Sequence, residues 1–76
     1  MAKAEIRNEI RQLRFSHGEL TQQALADRVG CTRQTILLLE QGRYTPSLAL
    51  AMRIARVFGR TVEEVFQLEE GEAKGG

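Results

Sequence analysis

Apolar residues along this chain recur mainly at helical spacing. Ile6, Ile10 and Leu13 fall at i, i+4 and i+7, with Arg7, Glu9 and Arg11 on other faces. They predict a first helix over residues 5–16, ending at Gly18. Two short helices follow, over about 22–29 and 33–41, each with its own start signal. Thr21 suits an N-cap, because its hydroxyl can accept from a free backbone N–H one turn in. Leu20 and Leu25 stand at the spacing of a hydrophobic staple around it. Gly30 ends that helix, since glycine tolerates the left-handed conformation at the residue after the last turn. Thr32 caps the next helix, with Cys31 and Ile36 as its staple, and Gly42 closes it.

Beyond a loop at 41–47, Pro46 suits a helix start, and either Thr45 or Ser47 caps a fourth helix over about 47–58. Leu48, Ala51, Ile54, Ala55 and Phe58 form its expected buried stripe, and Gly59 ends it. Thr61 and Glu64 have the spacing of a capping box. They open a short fifth helix carrying Val62, Val65 and Phe66, and the apolar pattern stops at Leu68. Residues 69–76 are charged and glycine-rich, a composition expected to be disordered. No internal repeat and no strand of convincing length is evident. The expected fold is all-α, a compact bundle of five short helices in one domain over residues 1–68, followed by the acidic tail 69–76.

The second and third helices organise the rest. Two short helices joined at a glycine, with a small residue, Ala26, at the corner, have the layout of a helix-turn-helix. Leu20-Thr21-Gln22, Leu25-Ala26 and Gly30, then Thr32-Arg33-Gln34-Thr35-Ile36 and Leu39-Glu40 with Gly42, resemble the Cro/repressor-type (Xre-like) helix-turn-helix regulators of bacteria and phages. The resemblance spans roughly residues 5–68. Glu19 departs from it, as one extra residue between the first helix and the Thr-Gln start of the second. It lengthens a surface loop, which chains tolerate, and brings a negative charge near the expected DNA face.

The resemblance implies a lambda-repressor-like DNA-binding domain and a transcriptional regulator, with repression as the expected mode. In that architecture the first turn of the third helix meets base edges in the major groove. Arg33 and Gln34 are then the expected readers, since arginine suits guanine and glutamine suits adenine. Thr35 adds a further contact. Leu37 and Leu38 are surplus apolar residues there. One of them, Leu37 in the plainer reading, packs under the fourth helix, or Leu38 faces the groove. Phosphate contacts are expected from Gln22, Thr32, Arg43, Tyr44 and Thr45, with Tyr44 equally suited to packing on the fourth helix. Arg14 and Glu40 match a family ion pair that braces the first helix against the third. Val62, Val65, Phe66 and Leu68, with Met52 beside them, are the expected seam of a homodimer.

Composition changes this picture little. Formal net charge is +1. Residues 1–45 carry seven basic side chains against five acidic, and residues 46–76 four against five, so the modest basic excess lies with the reading half. One Cys and one His give no disulfide and no zinc-ligand spacing, so no metal or cofactor is expected. The N-terminus has no apolar leader pattern, and no apolar run reaches membrane-spanning length. The expected setting is therefore the cytoplasm, and no small-molecule ligand is evident. His17 and Cys31 could suggest a base and a nucleophile. That chemistry needs direct contact and an oxyanion site, and Cys31 at a staple position behaves as a small hydrophobe, so no enzyme is expected. The alternative of a different class is a protein-interaction adaptor or antitoxin-like module on the same fold, which Leu37, Leu38 and the low net charge favour.

Overall fold

The computed structural model describes residues 5–69. The tail expected over 69–76 therefore lies, beyond Glu69, outside the described residues. Elements run β1 (Glu5–Asn8), α1 (Ile10–Ser16), α2 (Gln22–Val29), α3 (Arg33–Glu40), α4 (Leu48–Phe58), α5 (Val62–Val65) and β2 (Phe66–Glu69). Five helices surround one core, so the helical bundle is correct in outline. The all-α expectation is not, because β1 and β2 pair antiparallel, with Ile6 opposite Leu68 and Asn8 opposite Phe66.

That sheet corrects both ends of the helical pattern. The first helix begins at Ile10 rather than residue 5. Asn8 is the reason. Its Oδ1 accepts from the Ile10 N–H at 3.1 Å, and its Nδ2 donates to the Leu39 carbonyl at 2.8 Å. Asparagine offers the backbone such local bonds in place of a helical turn. The Glu9 N–H donates to the Val65 carbonyl at 2.9 Å, which draws the opening of α1 onto the end of α5. Ile6 belongs to the strand, and its helical spacing to Ile10 is coincidental. At the other end the Thr61–Glu64 capping box forms in both directions. The helix it opens lasts one turn, after which Phe66 swings to extended backbone (φ −123°, ψ 133°) and enters β2.

The core gathers Ile10, Leu13, Leu25, Ala26, Val29, Ile36, Leu39, Leu50, Ile54, Ala55, Phe58 and Val65. Leu48 is not in it, at 72% exposed, and Leu50 takes the place expected for it. Ser47 is the N-cap, accepting from the Leu50 N–H, so Leu48 is the first helical residue. At 100° per residue it shares the phase of Ala55, one edge of the buried stripe, so its exposure comes from its place at the open N-terminal end of α4 and not from the helix face it occupies.

Between α1 and α2 the chain makes two consecutive left-handed residues, Gly18 (φ 74°) and Glu19 (φ 55°). Glycine adopts this region freely, but glutamate does not. The turn is fixed by its surroundings, because the Leu20 N–H donates to the Arg14 carbonyl at 2.9 Å and Leu20 packs on the core. Glu19 thus carries backbone strain. Glu19→Asn, which tolerates this conformation without the chain entropy of glycine, should raise unfolding free energy by about 0.5–1 kcal/mol. Urea denaturation of both proteins measures it. An unchanged midpoint would show that the turn relaxes without cost.

Candidate nucleic-acid interface

The site is built on two capped helices and the corner between them. Thr21 accepts from the Ala24 N–H at 3.0 Å, and Thr32 from the Thr35 N–H at 3.1 Å. Gly30, at φ 80°, makes the left-handed corner, and Ala26 beneath it is fully buried. The N–H groups of Gly30 and Cys31 both converge on the Ala26 carbonyl. Ile36 and Leu39 bury one face of α3 completely. That anchorage turns Arg33 and Gln34, one turn earlier, outward to solvent.

A line of polar side chains runs from the bundle to this surface. Arg14 is buried, 7% exposed, and meets Glu40 with two parallel hydrogen bonds. Its Nε donates to Oε2 at 2.7 Å and its Nη2 to Oε1 at 3.1 Å. Its Nη1 donates to the Leu20 carbonyl at 2.9 Å, so every nitrogen of the guanidinium is engaged. Burying an ion pair costs desolvation, and only such full satisfaction offsets it. Glu40 Oε1 also accepts from Gln22 Nε2 at 3.1 Å, and Gln22 Oε1 accepts from Arg33 Nη1 at 3.3 Å. Gln22 thus stands between the ion pair and the exposed first turn of α3, with one amide N–H uncommitted.

The remaining residues singled out in the sequence occupy varied positions. The Thr32 and Thr35 hydroxyls bond each other at 3.0 Å, so both are partly spent on the helix start. Leu38 is half-buried. Leu37 does not join the core beneath α4. It lines a cleft of about 360 Å³ with Arg11, Arg14, Phe15, Gln22, Glu40 and Gln41. Gly42, at φ 73°, ends α3 in a Schellman motif, with its own N–H on the Leu39 carbonyl and the Arg43 N–H on Leu38. The Arg43 backbone is therefore committed, and only its exposed side chain remains for a ligand. Tyr44 and Thr45 are exposed beside it. Val65 cannot serve a seam between chains, because it is fully buried in this chain's own core. Val62 and Phe66 are half-buried against that core, whereas Leu68 is 62% exposed.

Sequence reasoning missed two features. Arg11 and Arg14 lie over the Phe15 ring at 5.5 and 5.4 Å from its centroid, which makes an aromatic wall for the cleft. The i, i+4 spacing of Arg11 and Phe15 was the available signal. The link from Gln22 on α2 to both ends of α3, Glu40 and Arg33, leaves no periodic trace. His17 and Cys31 have other engagements. The His17 Nδ1–H donates to the Leu13 carbonyl at 2.9 Å, and its ring packs edge-on to Phe58. Burial pushes the Cys31 thiol above its ordinary pKa, which disfavours the nucleophilic thiolate.

Comparison with known proteins adds to the geometry. The profile of the family described as helix-turn-helix matches residues 10–65. A protein of Methanothermobacter thermautotrophicus named an uncharacterized HTH-type transcriptional regulator is 57% identical over 70 residues, covering 91% of this chain and all of that relative. Two proteins of Archaeoglobus fulgidus bear the same name and are each 46% identical. One match covers 92% of this chain and 99% of the relative, the other 88% and 93%.

The fully bonded ion pair should show strong mutual dependence. In a double-mutant cycle on Arg14→Met and Glu40→Gln, read by urea denaturation, the coupling energy should be about 1–3 kcal/mol. A value within about 0.3 kcal/mol of zero would mean that the two residues act independently.

Proposed function

This chain belongs to the helix-turn-helix family of Cro/Xre-like DNA-binding transcriptional regulators, and on that premise we propose that it is a sequence-specific repressor reading the major groove of duplex DNA with α3. One observation carries the reading. The helix that buries Ile36 and Leu39 holds two planar, hydrogen-bonding side chains, Arg33 and Gln34, on its exposed first turn. Arg33 suits guanine O6 and N7, and Gln34 suits adenine N6 and N7. Thr35 and the half-buried Leu38 border the same surface, where an apolar contact favours a thymine methyl.

Affinity comes from the phosphates on either side. Gln22 contributes its uncommitted amide N–H at the start of α2, where the helix dipole also favours an anion. Arg43 contributes its guanidinium, and Thr32, Tyr44 and Thr45 supply hydroxyls. The setting is the cytoplasm. Among the described residues, no helix is long and apolar enough to cross a membrane.

The functional unit is a homodimer. One such domain reads only a few base pairs, and a two-fold pair joins half-sites about 34 Å apart. The seam lies at the outer end of β2, where Leu68 stands exposed opposite Ile6, with Val62 and Phe66 behind. A second reading, an adaptor that binds protein through the same fold, is favoured by exposed Leu48 and Met52 one turn apart on α4.

Selection of bound duplexes from a random pool, followed by affinity measurements across every single-base change, tests the repressor reading. Arg33→Ala should cost roughly 1–3 kcal/mol on the selected site and relax selection at one guanine. Arg43→Ala should weaken all sequences alike and lower the salt slope by about one unit. The reverse pattern would exchange the reader and the anchor. A chain without appreciable duplex affinity even at low salt would favour the adaptor.

For the dimer, sedimentation of Leu68→Glu beside wild type is the direct measurement. Wild type should sediment as a dimer on its selected site, and the variant as a monomer. A wild-type chain that is monomeric both free and on DNA would sink the two-fold model.

A further inference from the structure

We infer that Glu40, whose side chain is 9% exposed in its pairing with Arg14, is a positioning residue that sets the base preference of Arg33 by dictating which way round the Gln22 amide sits. The inference rests on the reading of α3 as the base-contacting helix. It assigns the ion pair a role beyond bracing.

The donor and acceptor chemistry leaves one arrangement. A carboxylate only accepts hydrogen bonds and a guanidinium only donates them. Gln22 lies between the two, 3.1 Å from Glu40 Oε1 and 3.3 Å from Arg33 Nη1. Its NH2 must therefore face Glu40 and its carbonyl oxygen must face Arg33. Were the amide reversed, oxygen would oppose carboxylate oxygen and NH2 would oppose guanidinium, two repulsions in place of two bonds. Glu40 is itself fixed by the two bonds from Arg14. The order of constraint thus runs from the buried pair outward, through Gln22, to the first residue of α3.

For Arg33 the consequence is geometric. With Nη1 tied to Gln22, the edge formed by Nε and Nη2 remains free, and it carries two parallel N–H groups suited to guanine O6 and N7. A tethered guanidinium enters the groove with its pose set in advance. An untethered one samples many poses and also reaches phosphates or other acceptors. Glutamine at position 40 would remove the constraint, because its amide can present either oxygen or NH2 to Gln22. Both orientations of Gln22 then become accessible, and one of them opposes NH2 to Arg33.

The experiment has one arm without DNA and one with it. In the free protein, 15N NMR of the Arg33 guanidinium reports rotation about its partial double bonds. Wild type should show separate Nη1 and Nη2 resonances, and Gln22→Leu and Glu40→Gln should each show them averaged. On the site selected from a random duplex pool, Glu40→Gln should lower the preference for guanine at the Arg33 position about tenfold. Its salt slope should stay that of wild type. In the Gln22→Leu background the same change should have no further effect on preference, an epistasis that simple loss of stability would not produce. Should Glu40→Gln fail to fold with Arg14 left unpaired, Arg14→Gln/Glu40→Gln removes both charges and takes its place in each arm. A freely rotating Arg33 in wild type overturns the inference. So does an unchanged preference profile in the Glu40 variant while Arg33→Ala alters it, and in that case the base-reading role of α3 stands. A wild-type chain that holds its Arg33 guanidinium but selects no sequence overturns the reading of α3 as well, and base preference with it.

Discussion

One carboxylate, that of Glu40, joins three helices of this small protein. It takes two hydrogen bonds from α1 through Arg14 and one from α2 through Gln22, and it is carried by the last turn of α3. A core of about a dozen apolar side chains supplies most of the stabilisation but little directional control, because hydrophobic contact is non-directional. Polar bonds of fixed geometry at the edge of that core supply what it lacks. Asn8 adds a second such bond, on the Leu39 carbonyl one residue earlier in the chain. The end of α3 is thereby fixed from two sides before any partner arrives, and a preorganised surface loses less conformational freedom on binding.

How much of this was legible in the sequence depended on the range of the signal. The caps at Thr21, Thr32 and Thr61 lie within four residues of the N–H groups they satisfy, and each forms as its local pattern predicts. Gly30 and Gly42 likewise end their helices through neighbouring carbonyls. The strands leave little trace in the sequence because their pairing partners lie at opposite ends of the described chain. Four residues at each end are too few for alternation to stand out, and Ile6 happened to continue a helical stripe. Leu48 keeps the phase of the buried Ala55, which is all a periodic pattern can show; with Ser47 as the cap it is the first helical residue, at the exposed start of α4.

At the site, residue type was more legible than residue geometry. The motif singled out Arg33, Gln34, Gln22 and Arg43 from their positions relative to helix ends. It could not show that the Arg43 backbone N–H is consumed by the Schellman turn, nor that Gln22 bonds in two directions. The second follows from three-dimensional closure of α2 on α3, whereas the first is local, the Arg43 bond to the Leu38 carbonyl that accompanies the turn at Gly42. Val65 marks the limit of apolar pattern reading. A buried valine and a surface valine at a seam have the same appearance in sequence, and only the packing of α5 into the core beside α4 decides between them.

The pairing of β1 with β2 also bears on the order in which the molecule assembles. Glu5 and Glu69 stand opposite each other across nearly the whole described chain, and closing so long a loop is slow beside the local turns and caps of the helices. The helical corner therefore forms before the ends meet. The two strands act as a clasp closed late and opened first, and the Glu9 bond to Val65 and the Asn8 bond to Leu39 close with it. Fraying at the clasp loosens the start of α1 while the α2–α3 corner, the least dependent on distant partners, keeps its shape.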